Sequence, residues 1–590
     1  MKSFLKYLLA TITGMLIVFG IAALMMFGIM AAAIKSAKPQ KVQISPNSVL
    51  KLKLNYPVQD RTSNNPFENF NFKDFTHSTH MGLNDLLRTI EKAKTDNNIK
   101  GIYLDLTMIP SSFGTIEEIR NALLDFKTSG KFIMAYSEVY TQKAYYIASV
   151  ADKIYMNPQG TLIFNGLQTE MAFLKDGLDK LGIDIQVVTG PGNIYKSAVE
   201  PFTQNEMSEY NKEQTSRYVN VLWSHMLDKI SESRNIPTNV LNNKANEFKI
   251  HPTQELVSTG LLTGYKYKDE IINELKKDLG ISDDKPVAIV QPFDYKNHKT
   301  KKNSTNDKIA VVYANGEIVP GEGDHESMGA EKISRSIRTA RKDSSVKAVV
   351  LRINSGGGSA LAAEIIWREV QLTAEAKTMI VSMGSYAASG GYYIACAADT
   401  ILADPTTITG SIGVFGIIPN AGELLNDNLG IHFDRVKTNR HSDIFSIERP
   451  LNPEEIEILN QAITHTYNVF LTRVAEGRNM SKEAVDEISR GIIWIGIDAK
   501  RQGLVDMLGG LNKAITVAAN NANIDEYKIV EYPKHKPAFQ QLLKGLRSEV
   551  QTRVLEKEMG VLPFKKYTEL KNILEQGHIQ AKLPFKPVIY

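Results

Sequence analysis

Residues Leu86–Leu106 read LLRTIEKAKTDNNIKGIYLDL, and 247 residues further on Ile333–Ile353 read ISRSIRTARKDSSVKAVVLRI. Arg88 falls on Arg335, Ile90 on Ile337, Asp96 on Asp343 and Lys100 on Lys347. The register holds without a gap for about 80 residues, which brings Tyr145-Tyr146-Ile147-Ala148 onto Tyr392-Tyr393-Ile394-Ala395 and marks an internal duplication. In each copy a helical pattern leads into a short β-rich apolar run (Gly101–Leu106; Ala348–Ile353), then a second helix and a second apolar run (Lys131–Ala135; Met379–Ser382). Such alternation reads as βαβ units around a largely parallel sheet. The fold class expected is α/β, in two tandem copies.

Outward from the repeat, Lys296–Asp307 (KNHKTKKNSTND) is polar, basic and without apolar periodicity, so residues 296–307 read as a linker. This places a first repeat at 46–295 and a second at 308–525. Residues 526–590 lie outside the repeat and read as a C-terminal tail with helical stretches and basic clusters such as Lys565-Lys566. Either a solvated helical appendage or contact with anionic lipid suits it. At the other end, Leu8–Ile34 is an uncharged run of 27 residues, longer than the roughly 20 that cross a bilayer. A transmembrane anchor within residues 1–45 is expected. A cleavable signal peptide is the competing reading, but its apolar region is usually about 7 to 15 residues, and Ala31-Ala32-Ala33 is the one cleavage-like stretch. Lys2 and Lys6 precede the run and Lys35, Lys38 and Lys41 follow it, so charge alone does not orient it.

A formal net charge of +4 over 590 residues gives no case for a nucleic-acid partner. One cysteine, Cys396, excludes an intrachain disulfide and a multi-cysteine metal site.

Differences between the copies carry the functional signal, and three converge. After its strand the second copy has Asn354-Ser355-Gly356-Gly357-Gly358-Ser359, where the first has Thr107-Met108-Ile109-Pro110-Ser111-Ser112. Pro110, without an N–H to donate, occupies the place of Gly357. Glycines there suit an oxyanion hole, a phosphate cradle or a plain tight turn. The second difference is Gly384-Ser385-Tyr386-Ala387-Ala388-Ser389-Gly390-Gly391, in which the first copy has Gln142 for Ser389 and Lys143 for Gly390. A serine at a strand-to-helix turn exposes its hydroxyl beside the following amide, although small residues also simply permit close packing. In the third, the reactive-looking residue belongs to the first copy: Gly190-Pro191-Gly192-Asn193-Ile194-Tyr195-Lys196-Ser197 aligns Lys196 with Phe445 of the second. A lysine is ordinarily solvated, but here one copy has kept the serine and the other the lysine. That is the pattern of a site assembled between them.

The segments YKSAVEPF (Tyr195–Phe202), AASGGYYIA (Ala387–Ala395) and TGSIGVFG (Thr409–Gly416) resemble signal peptide peptidase A in its long, duplicated form, also called protease IV. Each half then resembles the fold shared by the Clp protease and crotonase superfamily. The resemblance implies Ser389 as nucleophile, Lys196 as general base, Ser411 as the hydroxyl that orients the lysine, and the amides of Gly357 and Gly390 as the oxyanion hole. It implies no cofactor and no metal, and released signal peptides and other short apolar peptides as substrates. It further implies a single-pass attachment to lipid of the bacterial inner membrane with the catalytic domains on the periplasmic side, and a homotetrameric ring. Gly356 departs from the family's usual proline and should loosen that turn.

The chemistry is coherent in itself. A serine hydroxyl needs a base within hydrogen-bond reach, and a lysine serves only when neutral, which burial can enforce. The chain has no HExxH motif and no histidine beside the serine motif, and His441-Ser442-Asp443 is too local to be a triad and reads as a polar loop. The alternatives are a crotonase-like acyl-thioester enzyme and a catalytically silent membrane scaffold.

Overall fold

The computed structural model describes residues 2–36, 44–64, 70–71, 76–77, 80–190, 192–296, 305–324, 327–535 and 579–583. The duplication is reproduced element for element. Helices Leu83–Thr95 and Phe113–Lys127 recur as Ala330–Lys342 and Ala360–Ala374, each at the same offset of 247 residues. Leu83, Leu86, Leu87, Ile90 and Ala93 are the buried stripe of the first helix, and Ala330, Ile333, Ile337 and Ala340 that of its counterpart; their spacing of three and four is what a single helical face requires.

The strands between these helices are longer than their apolar runs suggest: Ile99–Asp105 and Phe132–Tyr140 in the first copy, Val346–Ser355 and Thr378–Ala388 in the second. Val349, Val350, Leu351 and Ile353 are all fully buried, as expected of a sheet covered on both faces. The first sheet runs in the order Gly264–Tyr265, Lys153–Leu162, Phe132–Tyr140, Ile99–Asp105, Ser48–Leu52, Ile289–Val290, and every pairing is parallel. The second has the same parallel centre around Val346–Ser355 and Thr378–Ala388, with Ile493–Ile495 added antiparallel to Ile408–Gly410 at one end. One face of it, with Ile309, Val311 and Val350, packs on helix Leu511–Asn521, while Ala310, Val312 and Leu351 face the other layer.

A third, mixed sheet joins the copies. Its order is Ser327–Gly329, Glu317–Val319, Gly357–Ser359, Ile579–Lys582, Phe415–Asn420, Asp184–Thr189. Strand Asp184–Thr189 of the first copy pairs antiparallel with Phe415–Asn420 of the second, from Thr189 opposite Phe415 to Asp184 opposite Asn420.

Two expectations are corrected or limited here. The described parts of residues 526–590 are strands rather than helices: Lys528–Tyr532 adds in parallel to the edge strand Lys308–Asn315, so the second sheet continues past residue 525. The β-branched pair Ile529-Val530 and Tyr532 suit a strand. Residues 536–578, and with them Lys565-Lys566, lie outside the described residues, as does most of the expected linker (297–304). Residues Lys2–Ser36 form one helix of 35 residues, whose Leu8, Leu9, Ile12, Leu16, Ile17, Phe19 and Leu24 are exposed. Among the described residues no helix is long and apolar enough to cross a membrane. The side chains at 22, 23, 26, 27 and 29–36 are outside those residues, which divides the uncharged run.

Candidate active site

Strand Thr378–Ala388 ends at Ser389, which caps the short helix Gly390–Ala395. Ser389 has φ 56° and ψ −117°, a region that costs a non-glycine residue about 1–3 kcal/mol and persists only where the surroundings impose it. The imposing contacts are its own N–H donating to the Gly410 carbonyl (2.7 Å) and the Tyr393 N–H donating to its carbonyl (2.9 Å). The glycines that follow are sterically required. A β-carbon on Gly391 would stand 2.6 Å from the Ser355 carbonyl oxygen, and one on Gly390 3.1 Å from the Gly357 Cα. Small residues therefore both permit packing and press the serine turn against the glycine-rich strand end.

Lys196 arrives from the other copy. Past strand Asp184–Thr189 its loop is tied down by second-copy groups. Asn193 Nδ2 donates to the Val414 carbonyl (2.7 Å) and the Tyr195 N–H to the Arg490 carbonyl (3.0 Å). Gln214, on helix Glu209–Arg234, donates to the Tyr195 carbonyl (3.0 Å) and Ser197 Oγ (2.9 Å), and accepts from the Ile493 N–H (3.3 Å). Gly491, at φ 84°, makes room: a β-carbon there would lie 2.5 Å from the Lys196 nitrogen.

The result is a buried amine. Lys196 Nζ lies 2.8 Å from Ser389 Oγ, 2.8 Å from the Ser411 carbonyl oxygen and 2.9 Å from Ser411 Oγ. Lys196, Ser389 and Ser411 are buried, and among the described residues Lys196 takes part in no ion pair. Burial without a counter-charge holds its pKa well below the ordinary lysine value. A neutral amine has two N–H donors and one lone pair. The Ser411 carbonyl can only accept and Ser411 Oγ takes the second N–H, which leaves the lone pair directed at the Ser389 hydroxyl. That is the arrangement a general base needs. Ser411, at φ 49° with its N–H donating to the Ile492 carbonyl (2.6 Å), is held in place beside the amine.

Gly357, at φ 98°, lies beside Gly390, and its N–H donates to Ser355 Oγ (3.1 Å). The five residues singled out in the sequence are thus gathered at one place. The first copy's equivalents have become structural. Gln142, at the place of Ser389, donates to the Gly166 carbonyl (3.1 Å) and accepts from the Gly166 N–H (3.0 Å). Ser112 and Ser385 hydrogen-bond across the copies through their hydroxyls. His441-Ser442-Asp443 lies in a polar loop, where Asp443 pairs with Arg449 (2.9 Å) and Lys437 (2.5 Å).

Sequence reasoning missed the support behind Ser389. Arg352, fully buried, donates Nε to Asp60 (2.8 Å) and Nη1 to Ser382 Oγ (2.9 Å) and pairs through Nη2 with Glu118. Glu118 also accepts from the Leu511 N–H (2.6 Å), and Asn354 Nδ2 donates to Asp60 (2.9 Å). Two carboxylates of the first copy thus anchor the strands that end in the glycine motif and in Ser389. The available signal was a charged residue inside the apolar run AVVLRI, at the position that carries Asp105 in the first copy.

The family model described as "Peptidase family S49" matches residues 125–282 and 371–525. Among curated proteins, Protease 4 of Salmonella typhi is 34% identical over 514 residues, covering 84% of this chain and 81% of that protein. Protease 4 of Haemophilus influenzae is 34% identical over 509 residues (81% and 82%). "Serine protease SPPA, chloroplastic" of Arabidopsis thaliana is 34% identical over 484 residues (80% and 70%).

Proposed function

Because the chain belongs to peptidase family S49 and is a serine protease hydrolysing peptide bonds, we propose that it works through a Ser389/Lys196 dyad on short apolar peptides, released signal peptides among them. The observation that carries the reading is the 2.8 Å contact between Lys196 Nζ and Ser389 Oγ in a buried, uncompensated setting. Lys196 takes the hydroxyl proton as Ser389 Oγ attacks the peptide carbonyl, and then gives it to the leaving amine. Water, deprotonated by the same amine, frees the acyl group. Ser411 keeps the amine aimed, and the amide of Gly390 receives the developing oxyanion, joined by that of Gly357 once its N–H leaves Ser355 Oγ. An extended peptide reaches Ser389 by pairing with Gly357–Ser359 in place of Ile579–Lys582, which occupies that edge, a mode that recognises backbone more than side chains.

The exposed apolar side chains of helix Lys2–Ser36 support attachment to the inner membrane by residues 1–45, with the two catalytic repeats on the periplasmic side. A homotetramer that encloses the sites would restrict entry to short or extended chains. The test is a digest of synthetic signal peptides by wild type and Ser389→Ala: wild type should cut them and the variant should not. Equal cleavage by both would refute the dyad.

A further inference from the structure

Behind the dyad the two copies meet over a set of buried carboxyls, and one of these has no donor. Asp404 follows strand Thr400–Ala403 of the second copy and is fully buried. Among the described residues neither of its carboxyl oxygens receives a hydrogen bond from an N–H or O–H group. What it meets instead is another carboxyl, that of Glu118 on helix Phe113–Lys127 of the first copy. Glu118 is itself engaged, paired with Arg352 and accepting from the Leu511 N–H (2.6 Å). Glycines close both groups in. A β-carbon on Gly496 would stand 2.0 Å from the Asp404 carbonyl oxygen, and one on Gly510 2.2 Å from Glu118 Oε2.

The charges around Asp404 do not balance. Arg352 faces three carboxyls, those of Asp60, Glu118 and Asp404. Asp60 (2.8 Å) and Glu118 already outweigh its single positive charge, so an ionised Asp404 would be a second uncompensated charge in a fully buried site. The other neighbours offer no relief. Glu117 is held by His225 (3.3 Å) and by the Tyr146 hydroxyl, which donates to Glu117 and so is not available to Asp404. Arg120 donates Nη2 to the Lys229 carbonyl (2.6 Å) and Ser233 Oγ (2.5 Å). Asp498, on helix Gly496–Arg501, pairs with Arg217 (3.1 Å) and Arg501 (2.8 Å). Two carboxyls pressed together bond only when one of them carries a proton, because like charges in contact do not both ionise. Burial first, and the Glu118 charge after it, push the Asp404 carboxyl well above the usual range.

We infer that Asp404 and Glu118 share one proton, an O–H···O bond across the seam between the copies, and that losing it at alkaline pH loosens the turn that carries Ser411. The Asp404 N–H donates to Thr407 Oγ1 (3.0 Å), and the Thr407 N–H donates to the Asp404 carbonyl (3.0 Å). Thr407 Oγ1 donates in turn to the Gly384 carbonyl (2.7 Å), in the strand that ends at Ser389. Strand Ile408–Gly410 follows at once, ending in the carbonyl that fixes the Ser389 N–H and leading into Ser411. With the proton in place, Asp404 joins this turn to the copy that supplies Lys196. Without it, two adjacent carboxylates push the turn and helix Phe113–Lys127 apart. Asp404 is thus a positioning residue, and its proton sets an upper pH limit on a dyad whose base sets the lower one. The limit on activity rests on the dyad proposed above; the shared proton does not. At the matching place in the first copy Asn157-Pro158 stands for Asp404-Pro405, so an asparagine already fills this position of the fold.

The experiment compares full-length wild type with Asp404→Asn, whose amide donates to Glu118 without titrating. Above the ordinary value of 3.8 the unfolded chain has released this proton while the folded chain keeps it. From about pH 5 upward the folding equilibrium of wild type should therefore weaken relative to the variant, by up to about tenfold per pH unit in denaturant unfolding. At pH 7 the infrared absorption of a protonated carboxyl should be present in wild type and lost in Asp404→Asn. On a synthetic apolar peptide, kcat/KM should rise with pH in both proteins and then, toward about pH 10, fall in wild type alone. Parallel unfolding profiles, identical infrared spectra or an identical alkaline branch in the two proteins would each overturn the inference. Wild type that cuts no peptide at any pH, yet shows the carboxyl band and the unfolding slope, would support the shared proton and refute the dyad.

Discussion

Replacing Lys196 by methionine keeps the length and most of the volume of the side chain and removes its titration, so it isolates what burying the amine costs. In the unfolded chain this lysine has its ordinary value of 10.5; in the folded protein, burial holds it well below that. Between those two values the unfolded state binds a proton that the folded state refuses, and wild-type stability must rise with pH throughout that window. One group contributes about 1.4 kcal/mol per pH unit. From pH 7 to pH 9, wild type should therefore gain up to about 2.7 kcal/mol relative to Lys196→Met. The contacts to Ser411 lost in the variant cost about 1 kcal/mol each at every pH and shift its curve without tilting it. The assay is denaturant unfolding of both proteins at pH 7, 8 and 9, followed by tryptophan fluorescence. Parallel pH profiles would mean that the folded site holds a charged lysine, and Lys196 could not be the base.

Four further outcomes follow from the same geometry. kcat/KM should rise with pH through the depressed Lys196 pKa, and Lys196→Arg should be inactive although folded, because a guanidinium does not become a base at working pH; near-normal turnover by that variant would assign the base elsewhere. Gly491→Ala places a β-carbon against the Lys196 backbone, and a displacement of about 1 Å should lower kcat/KM about 100-fold with the circular dichroism spectrum unchanged; full activity would show that the lysine loop tolerates the shift. Arg352→Met leaves Asp60 and Glu118 as buried, unpaired charges and should cost about 3–5 kcal/mol in denaturant unfolding, so a loss below about 1 kcal/mol would contradict the cross-copy anchoring. Full-length protein should stay with membranes through an alkaline carbonate wash, whereas a chain beginning near residue 46 should not; release of both would remove the anchor.

Much of this architecture was readable from the chain because the duplication provides an internal control. Leu83–Thr95 and Ala330–Lys342 carry the same buried stripe, and equivalent positions that differ, Gln142 against Ser389 and Pro110 against Gly357, mark where chemistry was kept or lost. Lys196 was legible for the same reason, and the structure adds the distances. What stayed hidden depends on long-range pairing. Arg352 looks like an exception in an apolar strand until Asp60 and Glu118, 292 and 234 residues away, are placed beside it. IQAK at 579–582 alternates apolar and polar residues but is too short to announce a strand, and its conformation is imposed by the two edges that flank it. Gly491 carries no local signal beyond a turn, since its purpose is set by the Lys196 backbone nearly 300 residues upstream.

The Lys196 to Ser389 contact spans 193 residues of sequence, and that separation acts as a clock during synthesis. At about 5–20 residues per second, the serine leaves the ribosome roughly 10–40 s after the lysine, and Gly491 and Ile492, which seat the lysine loop and Ser411, follow later still. A nascent first repeat carries Lys196 with no Ser389 yet beside it. The two residues of the proposed dyad are thus brought together only after Gly491 and Ile492 have been made.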